Sequence, residues 1–185
     1  RRWPRCDYPR GEMRLSVVIP TLDEQRLIAD QVRHTAGLAG VAEVIVVDGG
    51  SADRTLQRVP ELPTVRKLVA PRGRATQLNA GARAATGDVL LFLHADVRLP
   101  ADVARHVGAA LADPGCVGGA FRTWTVADRK TRLGPLLHLA DVRSRYTRVP
   151  YGDQAPFVRR AVFEAVGGFP AQPLMEDLEL SLRLR

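Results

Sequence analysis

Four short runs of residues set the limits on what this chain can fold into. LSVVIP (15–20), EVIVVD (43–48), TVRKLVA (64–70) and DVLLFLHA (88–95) are rich in β-branched and aliphatic residues, and three of them are nearly continuous in Val, Ile and Leu. A strand with one face in water alternates apolar and polar residues, whereas a continuous run is apolar on both faces and needs cover on both. The segments between the runs supply that cover. Ile28, Val32, Thr35, Ala36 and Ala39 fall on one helical face, as do Ala75, Leu78, Ala82 and Ala85, and after Pro100 so do Val103, Val107 and Leu111. Repeated strand–helix units of this kind predict an α/β fold of three layers, α/β/α, around a mainly parallel central sheet.

The chain has 185 residues, enough for one such domain. The first thirteen, RRWPRCDYPRGEM, read as a flexible leader, and a single domain is expected over residues 14–185. No helix stop signal precedes the last residue, so a further C-terminal segment is also expected. Beyond residue 112 the pattern loosens. CVGGAFRTW (116–124) and APFVRR (155–160) read as strands, Arg129 to Arg145 as a Pro-interrupted helix, and LMEDLELSLRLR as a helix by its Leu, Glu and Arg content.

Net charge is +7, and of the 27 basic residues only Lys67 and Lys130 are lysines. A nucleic-acid module would interleave its basic residues with aromatics on one element. Here aromatics are 5% and the arginines are scattered, which argues against nucleic acid and leaves a phosphate-bearing substrate or an anionic membrane surface. Cys6 and Cys116 match no metal or redox spacing, as expected for a cytoplasmic protein, with peripheral contact at the inner membrane face permitted by the charge. No run reaches the roughly 18 apolar residues of a membrane span.

Ligands on doubly wound sheets bind beyond the carboxyl ends of the strands. The polar residues that follow these strands are Thr21 to Glu24, Asp48 to Ser51, Arg72 to Arg74, and His94 to Asp96. P-T-L-D-E after the first run excludes the G-x-G-x-x-G of a dinucleotide fold, and no P-loop string occurs. Asp48 offers acceptors to a base or ribose, while Gly49 and Gly50 permit φ > 0 and close backbone approach; a tight turn with Ser51 or Asp53 capping a helix is the structural alternative. His94 and Asp96 stand two apart, so both face one side if the chain stays extended, and a carboxylate there suits Mg²⁺ or Mn²⁺ bridging a diphosphate. Glu176 and Asp177 come in succession, Asp177 being the better-spaced general base.

In this order and spacing, VVIPTLDE, VIVVDGGSADRT, LLFLHAD and MEDLELSLRL resemble family 2 glycosyltransferases of the Rossmann-like GT-A fold, over about Leu15 to Arg185. The strings PRGRATQLNAG, YGDQAPFVRR and GGFP are similar to a bacterial subgroup named for arsenosugar biosynthesis and for association with radical-SAM and selenodomain proteins. The resemblance implies an inverting transfer of a sugar from a nucleotide-diphosphate sugar to an acceptor hydroxyl. It implies that Pro20, Thr21 and Glu24 line the nucleotide pocket together with Gly50, Ser51 and Ala95, and that Asp48 binds the base or ribose. Arg74 and Asn79 would border the base and diphosphate, and Gln77 and Arg72 join them as lesser candidates. Asp96 would hold the metal with His94, Asp177 would be the catalytic base with Glu176 beside it, and Gly152, Asp153 and Gln154 would lie on the acceptor side.

His94 departs from the acid usual at the first place of the family's D-x-D. A neutral imidazole adds no negative charge, so Mn²⁺ is expected over Mg²⁺. Two other functions stand beside this one: a nucleotidyltransferase, which would place a Gly-rich basic loop where this chain has T-L-D-E, and a catalytically silent nucleotide-sugar-binding module.

Overall fold

The computed structural model of the chain describes residues 13–122, 154–170 and 176–184. The four apolar runs form β1 (Leu15–Thr21), β2 (Val41–Asp48), β3 (Val65–Val69) and β4 (Val89–Phe92), joined or followed by α1 (Ile28–Ala36), α2 (Thr55–Arg58), α3 (Arg74–Ala84) and α4 (Val103–Leu111). Then come β5 (Gly118–Gly119), β6 (Phe157–Arg159), α5 (Arg160–Ala165) and α6 (Glu176–Arg183). They build one six-stranded sheet in the order β3-β2-β1-β4-β6-β5. β1 pairs in parallel with β2 and β4, and β2 with β3; β6 runs antiparallel to β4 and to β5.

Both faces of the sheet are covered, as the continuous runs require. On one face Leu15, Val17, Ile19, Val44 and Val46 pack with Ile28 and Val32 of α1 and with Val103 and Val107 of α4. On the other, Val18, Ile45, Val47 and Leu90 pack with Ala75, Leu78 and Ala82 of α3, Val162 and Phe163 of α5, and Leu180 of α6. Helix α3 lies so close to the sheet that a Cβ on Gly81 would come within 2.3 Å of Val18 Cγ1. Phe92, Phe163 and Phe169 pack ring against ring with centroids 4.8–5.4 Å apart, tying β4 to the C-terminal part of the fold.

TVRKLVA carries two cations because β3 is the edge of the sheet, where Arg66 and Lys67 stay exposed. The strand expected over 88–95 stops at Phe92. Leu93 still donates its N–H to Val18 O at 2.9 Å, but beyond it the chain turns out of the sheet, with Val97 N bonding His94 O. Ala39 falls outside α1, which ends at Ala36 with Gly37 N–H closing on the Arg33 and His34 carbonyls. Of the strand expected over 116–124, only Gly118–Gly119 pairs among the described residues. The helix expected over 129–145 lies outside the described residues, as do residues 1–12 of the leader and the last residue, while Met13 packs against the core.

At the amino ends of the strands, Glu43 is 7% exposed and holds three segments together. Its carboxylate accepts bonds from the Ser16 hydroxyl at 2.7 Å, the Thr86 N–H at 2.6 Å and the Thr86 hydroxyl at 2.8 Å, with Arg66 at 3.5 Å. Burial opposes its ionisation, but these bonds outweigh burial and hold the carboxyl below its ordinary value of 4.5. A depressed folded-state pKa adds stability that is present above the unfolded value and lost as pH falls through the folded one. Glu43→Gln is therefore expected to cost about 1–3 kcal/mol at neutral pH. The gap from the parent chain should shrink on acidification below 4.5. Urea titrations at several pH values would show this, and a pH-independent gap would contradict it.

Candidate functional site

The strand order reverses between β1 and β4, because the chain moves outward from β1 through β2 to β3 and then returns to β1's other side for β4. A crevice opens at such a point beyond the carboxyl ends. Here it is a cleft of about 360 Å³, lined by Pro20, Thr21, Leu22 and Glu24 after β1, Arg72, Gly73, Arg74 and Gln77 at the start of α3, and His94, Ala95 and Asp96 after β4.

Its walls are held by side chains that satisfy main-chain groups. The loop after β1 and the loop after β2 are stitched in both directions. Asp23 N donates to Ser51 Oγ at 2.9 Å, Glu24 N to Thr55 Oγ1 at 2.8 Å, and Gln25 N to Asp53 Oδ2 at 3.1 Å. In return Ala52 N donates to Asp23 Oδ1 at 2.8 Å and Arg54 N to Gln25 Oε1 at 3.3 Å. From α3, Gln77 Nε2 donates to both Thr21 O and Val47 O at 2.8 Å. On the far wall, Gln31 Nε2 donates to Val97 O at 2.7 Å, His34 Nε2 lies 3.0 Å from Leu99 O, and Arg98 pairs with Asp30, so α1 fixes the loop that carries Asp96.

The charges are divided. Glu24 and Asp96 bring acid, while Arg72 and Arg74 flank the amino end of α3, where the helix dipole also favours an anion. Burial first, then the charges of Asp96, Asp53 and Asp23, push the Glu24 carboxyl above its ordinary value of 4.5. At Asp53 desolvation again opposes ionisation, yet bonds from the Thr55 hydroxyl and from the Gln25 and Thr55 N–H groups hold its carboxyl below the ordinary range. Among the described residues no group of three or more His, Cys, Asp or Glu is placed to hold a metal by itself. Asp96 is exposed at the cleft, with His94 and Glu24 lining the same cleft. This donor set suits a hard cation that takes one or two protein ligands and completes its shell with phosphate oxygens and water.

Of the residues singled out in the sequence, Pro20, Thr21, Glu24, Arg72, Arg74, Gln77, His94, Ala95 and Asp96 meet in the cleft. Asp177, in α6, lines an adjoining hollow with Arg74, Leu78, Phe92, His94, Pro156 and Phe169, so Arg74 and His94 belong to both spaces. Asp48 is placed otherwise. It is 2% exposed, and its carboxylate accepts from Gly50 N and Ser51 N at 2.9 Å and from the Ser51 hydroxyl, closing its own loop. Gly50 is exposed at φ +86°, and Ser51 serves the stitch. Asn79 is outside the cleft lining: its carboxamide donates to Phe169 O at 2.8 Å and accepts from Phe169 N at 3.0 Å. Gln154 is buried, with its carbonyl accepting from Phe121 N. Gly152, Asp153 and the side chain of Glu176 lie outside the described residues. Leu22 and Gly73 fall within the loop ranges singled out, whereas the bonding of Asp23, Gln25, Asp53 and Thr55 from loop to loop was not read; the signal was the matching density of Asp, Ser, Thr and Gln in TLDEQ and GGSADRT.

A mainly parallel sheet with an acid- and arginine-lined cleft at its switch point defines a domain of the doubly wound α/β class. A sequence model of the family described as Glycosyl transferase family 2 matches residues 16–167, and the chain belongs to that family. It is 29% identical over 160 residues to beta-monoglucosyldiacylglycerol synthase of Synechocystis sp., covering 77% of this chain and 33% of that protein. It is 27% identical over 197 residues to the probable glycosyltransferase YdaM of Bacillus subtilis, covering 92% and 46%. The chain thus spans less than half the length of these curated relatives.

Among solved structures, the mannosyltransferase PcManGT of Pyrobaculum calidifontis, in complex with GDP-Man and Mn²⁺, is similar with a TM-score of 0.72 and 22% identity, over 100% of this chain and 55% of that one. Glucosyl-3-phosphoglycerate synthase of Mycobacterium tuberculosis, in complex with Mn²⁺, UDP-glucose and phosphoglyceric acid, is similar at 0.65 and 22%, over 96% and 70%. The fold is GT-A, as expected.

The raised Glu24 pKa has a measurable consequence. The folded chain holds this proton more tightly than the unfolded one, so stability falls as pH rises from the ordinary carboxylate value through the raised one, and stays reduced above it. Glu24→Gln should therefore raise the thermal midpoint at neutral pH, and the advantage should vanish below 4.5. Thermal denaturation across that range would reveal this; a lowered midpoint at neutral pH would contradict the crowding of acids.

Proposed function

We propose that the chain is the catalytic domain of an inverting glycosyltransferase, moving a sugar from a nucleotide-diphosphate sugar to an acceptor hydroxyl. The observation that carries this is the meeting of Thr21, Glu24, Arg74 and Asp96 in one cleft, with Asp177 in a hollow that shares Arg74 and His94 with it. Two arginines and a helix amino end opposite carboxylates fit a diphosphate better than a neutral ligand.

In the proposed reaction the acceptor oxygen bonds to the anomeric carbon as the bond from that carbon to the phosphate oxygen breaks. The acceptor's proton passes to the Asp177 carboxylate, and the nucleoside diphosphate leaves with the bonding pair. Arg74, bordering both spaces, offsets charge that develops on the departing phosphate. A divalent cation, held by Asp96 and His94, would add further positive charge there. PcManGT and the mycobacterial synthase are both described with Mn²⁺ and a nucleotide sugar, which supports this choice of cofactor and donor class.

The subgroup similarity rests on PRGRATQLNAG and YGDQAPFVRR, and no substrate is assigned from it. No helix among the described residues is long and apolar enough to cross a membrane, and the scattered arginines are compatible with peripheral contact with an anionic surface.

Asp177→Asn is expected to lower turnover by about 10²- to 10⁴-fold while nucleoside diphosphate affinity stays near that of the parent. Equal loss of both would give Asp177 a structural part only. Donor hydrolysis and transfer, followed by release of nucleoside diphosphate from UDP- and GDP-sugars, provide the assay. For Asp96→Ala, calorimetry should show donor affinity that no longer responds to Mn²⁺. A response equal to the parent's would remove Asp96 from the metal site.

A further inference from the structure

Asn79 stands in α3, the helix that Arg74 opens, and its side chain is given over to a residue ninety positions later. The carboxamide donates to Phe169 O at 2.8 Å and accepts from Phe169 N at 3.0 Å, the two-bond exchange that a residue on a neighbouring strand would make. The turn that delivers Phe169 is shaped to meet it. Gly167 and Gly168 follow α5 at φ +82° and +72°, a conformation that glycine adopts without strain, and their N–H groups close on Glu164 O and Phe163 O, both at 3.0 Å. Space at Gly168 is short as well, since a Cβ there would lie 2.6 Å from Asn79 Oδ1. Side chain and turn fit one another, and a change on either side disturbs both.

The clamp bears on more than a turn. Phe169 is 3% exposed, and its ring packs against Phe92 at the end of β4 and Phe163 of α5. It also lines the hollow that holds Asp177, and it shares a core cluster with Leu180, which lies one turn after Asp177 on α6. A helix of eight residues does not hold its position unaided, so the packing that seats Leu180 also sets where Asp177 stands. At the other end of the clamp α3 is a firm anchor, because Ala75, Leu78 and Ala82 pack on the sheet.

Resting on the reading of Asp177 as the base, we infer that Asn79 is a positioning residue for it: through Phe169 it sets where Asp177 stands relative to the donor held at Arg74. One helix then carries both the cation that meets the departing phosphate and the clamp that places the base. Asn79 touches no substrate itself, so its loss lowers the rate and leaves nucleotide affinity alone.

The test uses the full chain with Mn²⁺ and two variants: Asn79→Leu, which is close in shape and removes both bonds, and Gly168→Ala, which crowds the clamp from the other side. Release of nucleoside diphosphate from UDP-glucose and GDP-mannose, with water as the acceptor, should slow about 10- to 100-fold in kcat, with UDP and GDP affinities by calorimetry unchanged. In an Asp177→Asn background the same substitutions should slow release less than about twofold, because a residue that acts through Asp177 then has nothing left to place. Hydrogen exchange gives a readout free of turnover: the amides of α6 should exchange about tenfold faster in either variant, and those of β1 and β2 at the parent's rate. A full loss of rate that persists in the Asp177→Asn background, or α6 amides that exchange at the parent's rate, would overturn the positioning role. So would a fall in UDP and GDP affinity, which would put Asn79 at the nucleotide instead. A parent chain that binds neither nucleoside diphosphate and cleaves neither donor would overturn the glycosyltransferase reading, and this role with it, even where α6 loosens.

Discussion

The cleft depends on how two neighbouring strand ends satisfy their main-chain groups. β1 and β2 run in parallel register to Thr21 and Asp48, where the ladder stops and both chains turn away. Left alone, the N–H and C=O groups past those residues would have to find water, and the loops would take many shapes. Instead Asp23, Ser51, Asp53 and Thr55 bridge one loop to the other, and Gln77 reaches from α3 to a carbonyl on each strand. A wall built this way is ordered before any ligand arrives, which lowers the entropy cost of binding.

The opposite wall is ordered from a different helix. Gln31 and His34 hold the carbonyls of Val97 and Leu99, so the segment bearing Asp96 is fixed to α1, whose apolar face is locked into the core by Ile28 and Val32. Between the walls stand acids from the loops after β1 and β4 and arginines at the start of α3. Glu24's raised pKa records the strain on the acidic side. Such strain is tolerated where a cation and a polyanion are to share the space, because each then relieves the charge that the other meets.

Much of the fold was legible, since it follows from the one property that continuous Val, Ile and Leu cannot hide from water. The site was legible in part. Thr21, Glu24, Arg74 and Asp96 could be placed because each follows a strand or opens a helix, and a doubly wound sheet sends all such positions to one edge. What the sequence left hidden at Asp48 and Asn79 was their main-chain partners. Both carry side chains that suit a ligand equally well as they suit main chain, and only the folded backbone reveals that Asp48 closes its own turn and Asn79 clamps Phe169, ninety residues away. Gly49 is the reverse case. Its glycine looked like freedom of φ and proves to be room for Gln77, a contact between residues that no local pattern links.

The central claim is that one cleft, between the ends of β1 and β4, takes a nucleoside diphosphate. A crystal structure of the chain grown with a nucleoside diphosphate and Mn²⁺ tests it most directly. The claim predicts density for the diphosphate between Arg74 and Asp96, with the nucleoside against Thr21 and Gln77. Ligand density elsewhere on the molecule, with the cleft filled only by solvent, would contradict it.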